Sequence, residues 1–401
     1  MKLVITGASG FLAGELIPLL RDRGFELVLV SARAEVLINA YPDLTCASYD
    51  DLDTHLQGAD CVLHLAVKNN DSAGELADFR AINVDQTLSV LHAAKAAGVG
   101  KFIYTSSFHT LSLGGPTSDY ARSKAEAEVQ LAVEHGIDVS VVHMAAVYGR
   151  QFNGKLSILN RLAAPLQSLA MTFLGALRPT VHVDRVADRI ADITNGKCSA
   201  PHYLYEPAQE NSVYTWAKRA VDLSFVLFVA VVLGWLLAIV WVVIRMDSHG
   251  PGLFVQERVG KDGKIFHCYK FRTMQQGTVQ AGTHEVTAAS ITRIGHFLRK
   301  TKLDELPQIV NILRNELSLI GPRPCLPSQV ELVEKRRALG VFDVKPGISG
   351  LAQIQNIDMS EPERLSREDA LYVALQSMPL DLKITLATAT GSGQGDKVSS
   401  D

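Results

Sequence analysis

The chain has 401 residues, 47% of them hydrophobic, and a formal net charge of −3. That length supports two domains with cores of their own, and the near-neutral balance excludes bulk electrostatic binding of nucleic acid. Five scattered cysteines (Cys46, Cys61, Cys198, Cys268, Cys325) contain no Cys-x-x-Cys pair, which excludes a disulfide frame and a structural zinc site and points to a reducing compartment.

MKLVITGASG reaches a glycine turn before any cleavage-like pattern, so no signal peptide is expected. From Met1 to about Tyr205, short apolar runs alternate with amphipathic stretches: KLVITG, FELVLVSA, ADCVLHLA, KFIYTSS, DVSVVHM. They are too short for buried helices and rich in Val, Ile and Leu, which predicts an α/β doubly wound parallel sheet with helical crossovers. In LVITGASGFLAGEL, Gly7, Gly10 and Ala13 stand three apart between a strand and a helix. Glycine suits a tight turn and a close approach of backbone to a pyrophosphate, which then meets the positive end of the helix. Ser31 ends the second strand where an NAD-preferring fold has an acid, and nearby Arg33 suits a 2′-phosphate, so NADP is expected ahead of NAD. Further on, KFIYTSS ends at Ser107, and YARSK puts Tyr120 and Lys124 four apart on one helix face. A lysine one turn away would lower the phenol's pKa for proton exchange with a substrate oxygen, with the serine bonded to the same oxygen.

With HLAV (His64–Val67), Asn83 in INVDQT, and VHVDRVADRIADI, these features resemble the short-chain dehydrogenase/reductase superfamily, in its extended nucleotide-sugar epimerase/dehydratase/reductase branch. The resemblance implies a Rossmann-type fold and catalytic roles for Ser107, Tyr120 and Lys124. Cofactor contacts are expected at Gly7, Ser9, Gly10, Phe11, Leu12, Arg33, Ala66 and Lys124. His143-Met144 stands in place of the usual Arg-Pro before AAVYGR, and little room is left for a substrate lobe. A nucleotide-binding scaffold or sensor without turnover is the alternative.

Phe225 to Ile244 is 20 residues without a charge, about the length needed to cross a bilayer core. Cations flank both sides, Lys218 and Arg219 before it and Arg245, Arg258, Lys261 and Lys264 after it, which disagrees with a simple span. A helix that enters one leaflet and turns back is expected, with its break at Gly234-Trp235.

The third segment contains LRKTKLDELPQIVNIL, with Asp304 and Glu305 among Arg299, Lys300 and Lys302, and a GPRP turn carrying Arg323. By themselves adjacent acids beside lysines read as a solvated, salt-bridged face. His267, His284 and His296 have no ligand spacing. From Lys218 onward, however, KRAVDLSF, IRMDSHGPGLFVQERVGKDGKIFHCYKFRTM, ITRIGHFLRKTKLDELPQIVNILRNELSLIGPRP and VKPGISGLAQIQ resemble the bacterial sugar transferases, the monotopic polyprenol-phosphate phosphoglycosyl transferases. In that family a Ser-Pro pair breaks the membrane helix where Gly234-Trp235 stands here. The resemblance implies a small, mainly helical catalytic domain in which Asp304 attacks the β-phosphate of a UDP-sugar, and undecaprenyl phosphate then collects the phosphosugar. Glu305 fits as metal ligand or neighbouring base, so Asp304 and Glu305 are the expected Mg²⁺ ligands. Lys270, Arg272, Arg299 and Arg323 are the expected phosphate contacts.

The expected organisation is an NAD(P)-binding domain over 1–208, a membrane helix over 215–247, a transferase domain over 248–390 and a disordered tail over 391–401. The whole reads as a bifunctional enzyme at the bacterial inner membrane with both domains facing the cytoplasm, in contact with membrane lipid, UDP-sugar and undecaprenyl phosphate but no nucleic acid. A homodimer is compatible with the sequence, which fixes neither the oligomeric state nor the sugar.

Overall fold

The computed structural model describes residues 1–150, 152, 154–197, 201–278 and 291–391. The tail expected to be disordered, from 392 on, lies outside the described residues, as do His284 and Cys198. The chain divides into two compact units, Met1–Met171 with Pro179–Glu206, and Thr172–Arg178 with the chain from Pro207 on.

The described residues of the first unit form nine strands: β1 (Lys2–Thr6), β2 (Glu26–Val30), β3 (Thr45–Ala47), β4 (Cys61–His64), β5 (Lys101–Ser107), β6 (Asp138–Met144), β7 (Ala146–Tyr148), β8 (Thr180–His182) and β9 (His202–Leu204). Seven of them form one parallel sheet in the order β3-β2-β1-β4-β5-β6-β9, while β7 and β8 pair with each other. In β1, Leu3 and Ile5 enter one core with Leu16 and Ile17 of the helix Phe11–Asp22. Val4 enters the opposite core with Leu91 of the helix Thr87–Ala96. A strand covered on both faces needs no polar alternation, which is why β1 reads as a continuous apolar run. The strand order turns back between β1 and β4, so the ligand crevice of such a sheet lies beyond their C-terminal ends.

The second unit begins with two apolar helices, Ser212–Val232 and Gly234–Asp247, bent by 66°. No single helix among the described residues is long and apolar enough to cross a membrane. The bend falls at Leu233 (φ −107°, ψ −3°), directly before Gly234. A Cβ at Gly234 would meet open space, so the glycine supplies backbone freedom there and relieves no clash. Both helices pack on the same unit. Val226 of the first joins Phe266, Cys268, Ile312 and Leu317, and Val240 and Ile244 of the second join Phe271 and Leu298. The two cations that precede the segment have partners in the same unit. Lys218 Nζ lies 2.6 Å from Asp381, and Arg219 donates to the carbonyls of Ile312 and Leu313. Leu227, Phe228, Val231, Trp235 and Ile239 remain more than half exposed around the bend.

After these helices come an antiparallel hairpin, β10 (Leu253–Val259) with β11 (Ile265–Phe271), and a parallel pair, β12 (Ser318–Ile320) with β13 (Gly347–Ser349). The remainder is mainly helical, with Arg293–Thr301, Val330–Ala338, Pro362–Leu375 and Met378–Ala389 as its longest elements.

Candidate active site

In the first unit, Gly7 ends β1 with φ +73°, and a Cβ there would stand 2.4 Å from the Ala66 nitrogen. Only glycine lets the chain turn against the end of β4 at this point. Gly10 then caps the helix, whose first turn, from Phe11 and Leu12, presents backbone N–H groups at the crevice. Ser9 Oγ and Ser31 Oγ are 2.7 Å apart, and Ser31 also accepts from the Arg33 nitrogen, so these three predicted residues form one rim. Tyr49, which the sequence reading did not single out, accepts a hydrogen bond from the Gly7 N–H. Asn83 sits in a π-helical turn, Ala81–Gln86. Its side chain bonds both the N–H and the C=O of Lys68 and the Ser123 hydroxyl, which fixes the segment following Ala66. A tight glycine turn, a helix N-terminus and a hydrogen-bonded serine rim fit a dinucleotide.

Ser107 stands at the end of β5, on the side of the Tyr120 phenol. Burial pushes that phenol up, the nearby Ser107 hydroxyl opposes this, and the charge of Glu128 adds to it. The expected lowering by Lys124 is not what the structure contains. Lys124 is itself buried; its Nζ donates to the Thr105 carbonyl at 2.7 Å and stands 4.2 Å from the centre of the Tyr104 ring. Desolvation lowers the ammonium to about 7, with Glu128 opposing the shift. Glu128, four residues beyond Lys124 on the same helix face, accepts from Ser106 and lies 3.2 Å from His143 Nε2. The sequence signal for it was the continued spacing Tyr120, Lys124, Glu128.

In the second unit Lys302 (φ +56°) ends the helix Arg293–Thr301, and Leu303–Gln308 winds into a 3₁₀ turn. Asp304 and Glu305 therefore stand in a tight turn and not on a solvated helix face. Glu305 Oε1 accepts from Lys270 Nζ at 2.8 Å and from Arg323 Nη2 at 3.1 Å, with all three side chains between 13% and 19% exposed. Exposure that low removes the bland reading of a surface ion pair. Burial, then the charge of Glu305, raises Asp304 to about 6, against the pull of Lys270, Arg299 and Arg323. All five residues line one cavity of about 1050 Å³ with Lys300, Lys302 and His296, the last of which carried no sequence signal. Phe225 and Leu233 bring the apolar helices to the same cavity. Arg299 is steadied by a bond from Nε to Thr273 Oγ1 at 3.0 Å. Arg272 also lines the cavity, but its guanidinium donates to the Ser248 and His249 carbonyls and to Ser248 Oγ, tying down the end of the second apolar helix.

Among the described residues no group of three or more His, Cys, Asp or Glu side chains is placed to hold a metal ion. Two adjacent carboxylates in a cavity lined by cations that suit phosphate nonetheless fit Mg²⁺, which is commonly held by one or two carboxylates plus substrate phosphates and waters.

The two units thus have the form of a dinucleotide-binding Rossmann-type domain and a transferase-like domain built around an acidic pair among cations. Residues 3–197 match the model of the NAD dependent epimerase/dehydratase family, and residues 213–393 that of the bacterial sugar transferases. A sugar transferase of Bacillus subtilis, EpsL, described as uncharacterised, is 37% identical over 171 residues, 43% of this chain and 84% of that protein. The UDP-N-acetylgalactosamine-undecaprenyl-phosphate N-acetylgalactosaminephosphotransferase of Aeromonas hydrophila is 30% identical over 221 residues, 52% of this chain and 51% of that one. The chain therefore spans only about half the length of that relative. Among solved structures, the dTDP-glucose 4,6-dehydratase DesIV of Streptomyces venezuelae, with NAD and TYD bound, is 21% identical with a TM-score of 0.41, covering 51% of this chain and 74% of that one. The Bordetella bronchiseptica enzyme WbmH with NAD⁺ is 25% identical with a TM-score of 0.40, covering 51% and 75%. The chain belongs to the bacterial sugar transferase family, fused to an NAD dependent epimerase/dehydratase domain.

Proposed function

We propose that the second unit moves a phosphosugar from a UDP-sugar to undecaprenyl phosphate by way of Asp304. The observation that carries the reading is the largely buried Asp304–Glu305 pair among Lys270, Arg299 and Arg323 in a cavity that the apolar helices also line. An Asp304 oxygen attacks the β-phosphorus and the bond between that phosphorus and the bridging oxygen breaks. UMP leaves, and the phosphosugar stays on the carboxylate. An oxygen of undecaprenyl phosphate then attacks the same phosphorus and expels Asp304, leaving the carboxylate as it began. Glu305 keeps Lys270 and Arg323 in place, and these cations with Arg299 neutralise the diphosphate while an anion approaches it. Asp304 and Glu305 would hold Mg²⁺, which supplies further neutralisation when bound. The lipid acceptor fits a bent apolar pair whose two halves both pack on this unit, and such a pair fits re-entry into the cytoplasmic leaflet of the inner membrane.

For the first unit the reading is an NADP-dependent nucleotide-sugar reductase or epimerase that makes the donor, with Arg33 beside the 2′-phosphate. The neutral Tyr120 phenol suits proton donation to a keto oxygen, which favours reduction. One observation favours a second reading, nucleotide binding without turnover: Lys124 is bonded to the Thr105 carbonyl. UMP release from UDP-sugars, including 4-keto forms, with and without NADPH, tests both readings. NADPH-dependent release from keto substrates supports the coupled pathway, and cofactor-independent release supports the scaffold.

A further inference from the structure

Arg323 reaches Glu305 from a turn whose three successive carbonyls are each held by a different donor. The Arg323 carbonyl accepts from Arg336 Nη1 at 2.8 Å, that of Pro324 from Arg258 Nη1 at 2.9 Å, and that of Cys325 from the Val259 N–H at 2.9 Å. Pro322 and Pro324 fix φ on either side of Arg323. Of the three donors, Arg336 is the one whose presence needs an explanation. It is 1% exposed on the helix Val330–Ala338, and Asp369, 2% exposed on Pro362–Leu375, accepts its Nε at 3.0 Å and its Nη2 at 2.5 Å. A buried ion pair is not in general more stabilising than apolar side chains of the same volume. What apolar side chains lack is an N–H aimed at the Arg323 carbonyl.

We propose that Arg336, oriented by Asp369, is a positioning residue of the transferase site that holds the Arg323 main chain so that its guanidinium meets Glu305 and the donor's diphosphate. This rests on the transferase reading above. Asp369 takes up Nε and Nη2 of the guanidinium, which leaves Nη1 directed at the carbonyl. The planar fork allows both contacts at once, which a lysine cannot do.

The test compares the Arg336→Met/Asp369→Leu double variant in the wild-type and Arg323→Ala backgrounds. UMP release is measured against UDP-sugar concentration, UDP affinity by calorimetry without turnover, and the unfolding midpoint is recorded for each protein. The proposal expects kcat/KM and UDP affinity to fall by about ten- to a hundredfold in the wild-type background, with little further loss once Arg323 is gone. Equal losses in both backgrounds, or full activity in the double variant, would overturn it. If the apolar pair fails to fold, Arg336→Lys, which keeps a charge opposite Asp369 without the fork, gives the same comparison. UDP affinity is read without turnover, so a failure of the transferase chemistry and a failure of the positioning role give different results.

Discussion

Asp304 is the residue on which the transferase reading turns, and its environment sets a pH dependence. A nucleophilic carboxylate must be ionised, and burial beside Glu305 raises this one to about 6. Transferase activity is therefore expected in full above that pH and to fall as pH drops through about 6, a pH–rate profile being the measurement. Glu305→Gln removes the repulsion that adds to burial and should move the same limb to lower pH. A limb that stays put would show that the neighbouring charge is not its cause. On the reductase reading of the first unit, Tyr120→Phe removes the proton-donating hydroxyl, and turnover of keto substrates should fall by about 10²- to 10⁴-fold with dinucleotide binding retained. Unchanged conversion of every keto substrate would favour the scaffold reading. The partners of these side chains were not legible in the chain. Tyr120 and Lys124 are correctly one turn apart, yet the lysine turns to the Thr105 carbonyl, because a buried ammonium takes the nearest oxygen, and sequence spacing gives no account of main-chain acceptors.

At the scale of elements, more was readable. Strand β1 and the Gly7 turn follow from an apolar run ended by glycine, and the structure shows why the glycine is required, with Ala66 too close for a Cβ. Gly7→Ala is accordingly expected to weaken binding of NADH or NADPH, whichever the unit takes, by at least about tenfold, measured by cofactor fluorescence titration, because the left-handed turn and the clash both penalise a side chain. An unchanged affinity would mean that the turn does not carry the cofactor. The bend at Leu233–Gly234 also followed from the sequence, since glycine was the one weak point in 20 apolar residues. The 3₁₀ turn that lifts Asp304 and Glu305 off the helix was not legible. It depends on Lys302 adopting a left-handed conformation, which no local pattern announces. If the exposed flank of the bent pair lies in lipid, Val231→Asp should reduce co-sedimentation with anionic vesicles while leaving the unfolding midpoint unchanged. Equal sedimentation would place that flank outside the bilayer.

The whole molecule joins an epimerase/dehydratase-type unit and a sugar-transferase unit in one chain. On the proposed coupled pathway, fusion would raise the local concentration of one unit's product at the other's site. Everything in that joint account depends on the second unit passing its phosphosugar through Asp304. The most direct measurement is mass spectrometry of the protein after incubation with UDP-sugar and Mg²⁺ and without lipid acceptor, alongside UMP release by the wild type and by Asp304→Asn. If Asp304 is the nucleophile, a phosphosugar adduct appears on the peptide carrying it, and the variant loses UMP release by about three orders of magnitude or more. An adduct on another peptide, or UMP release that survives the Asp304→Asn substitution, would contradict it.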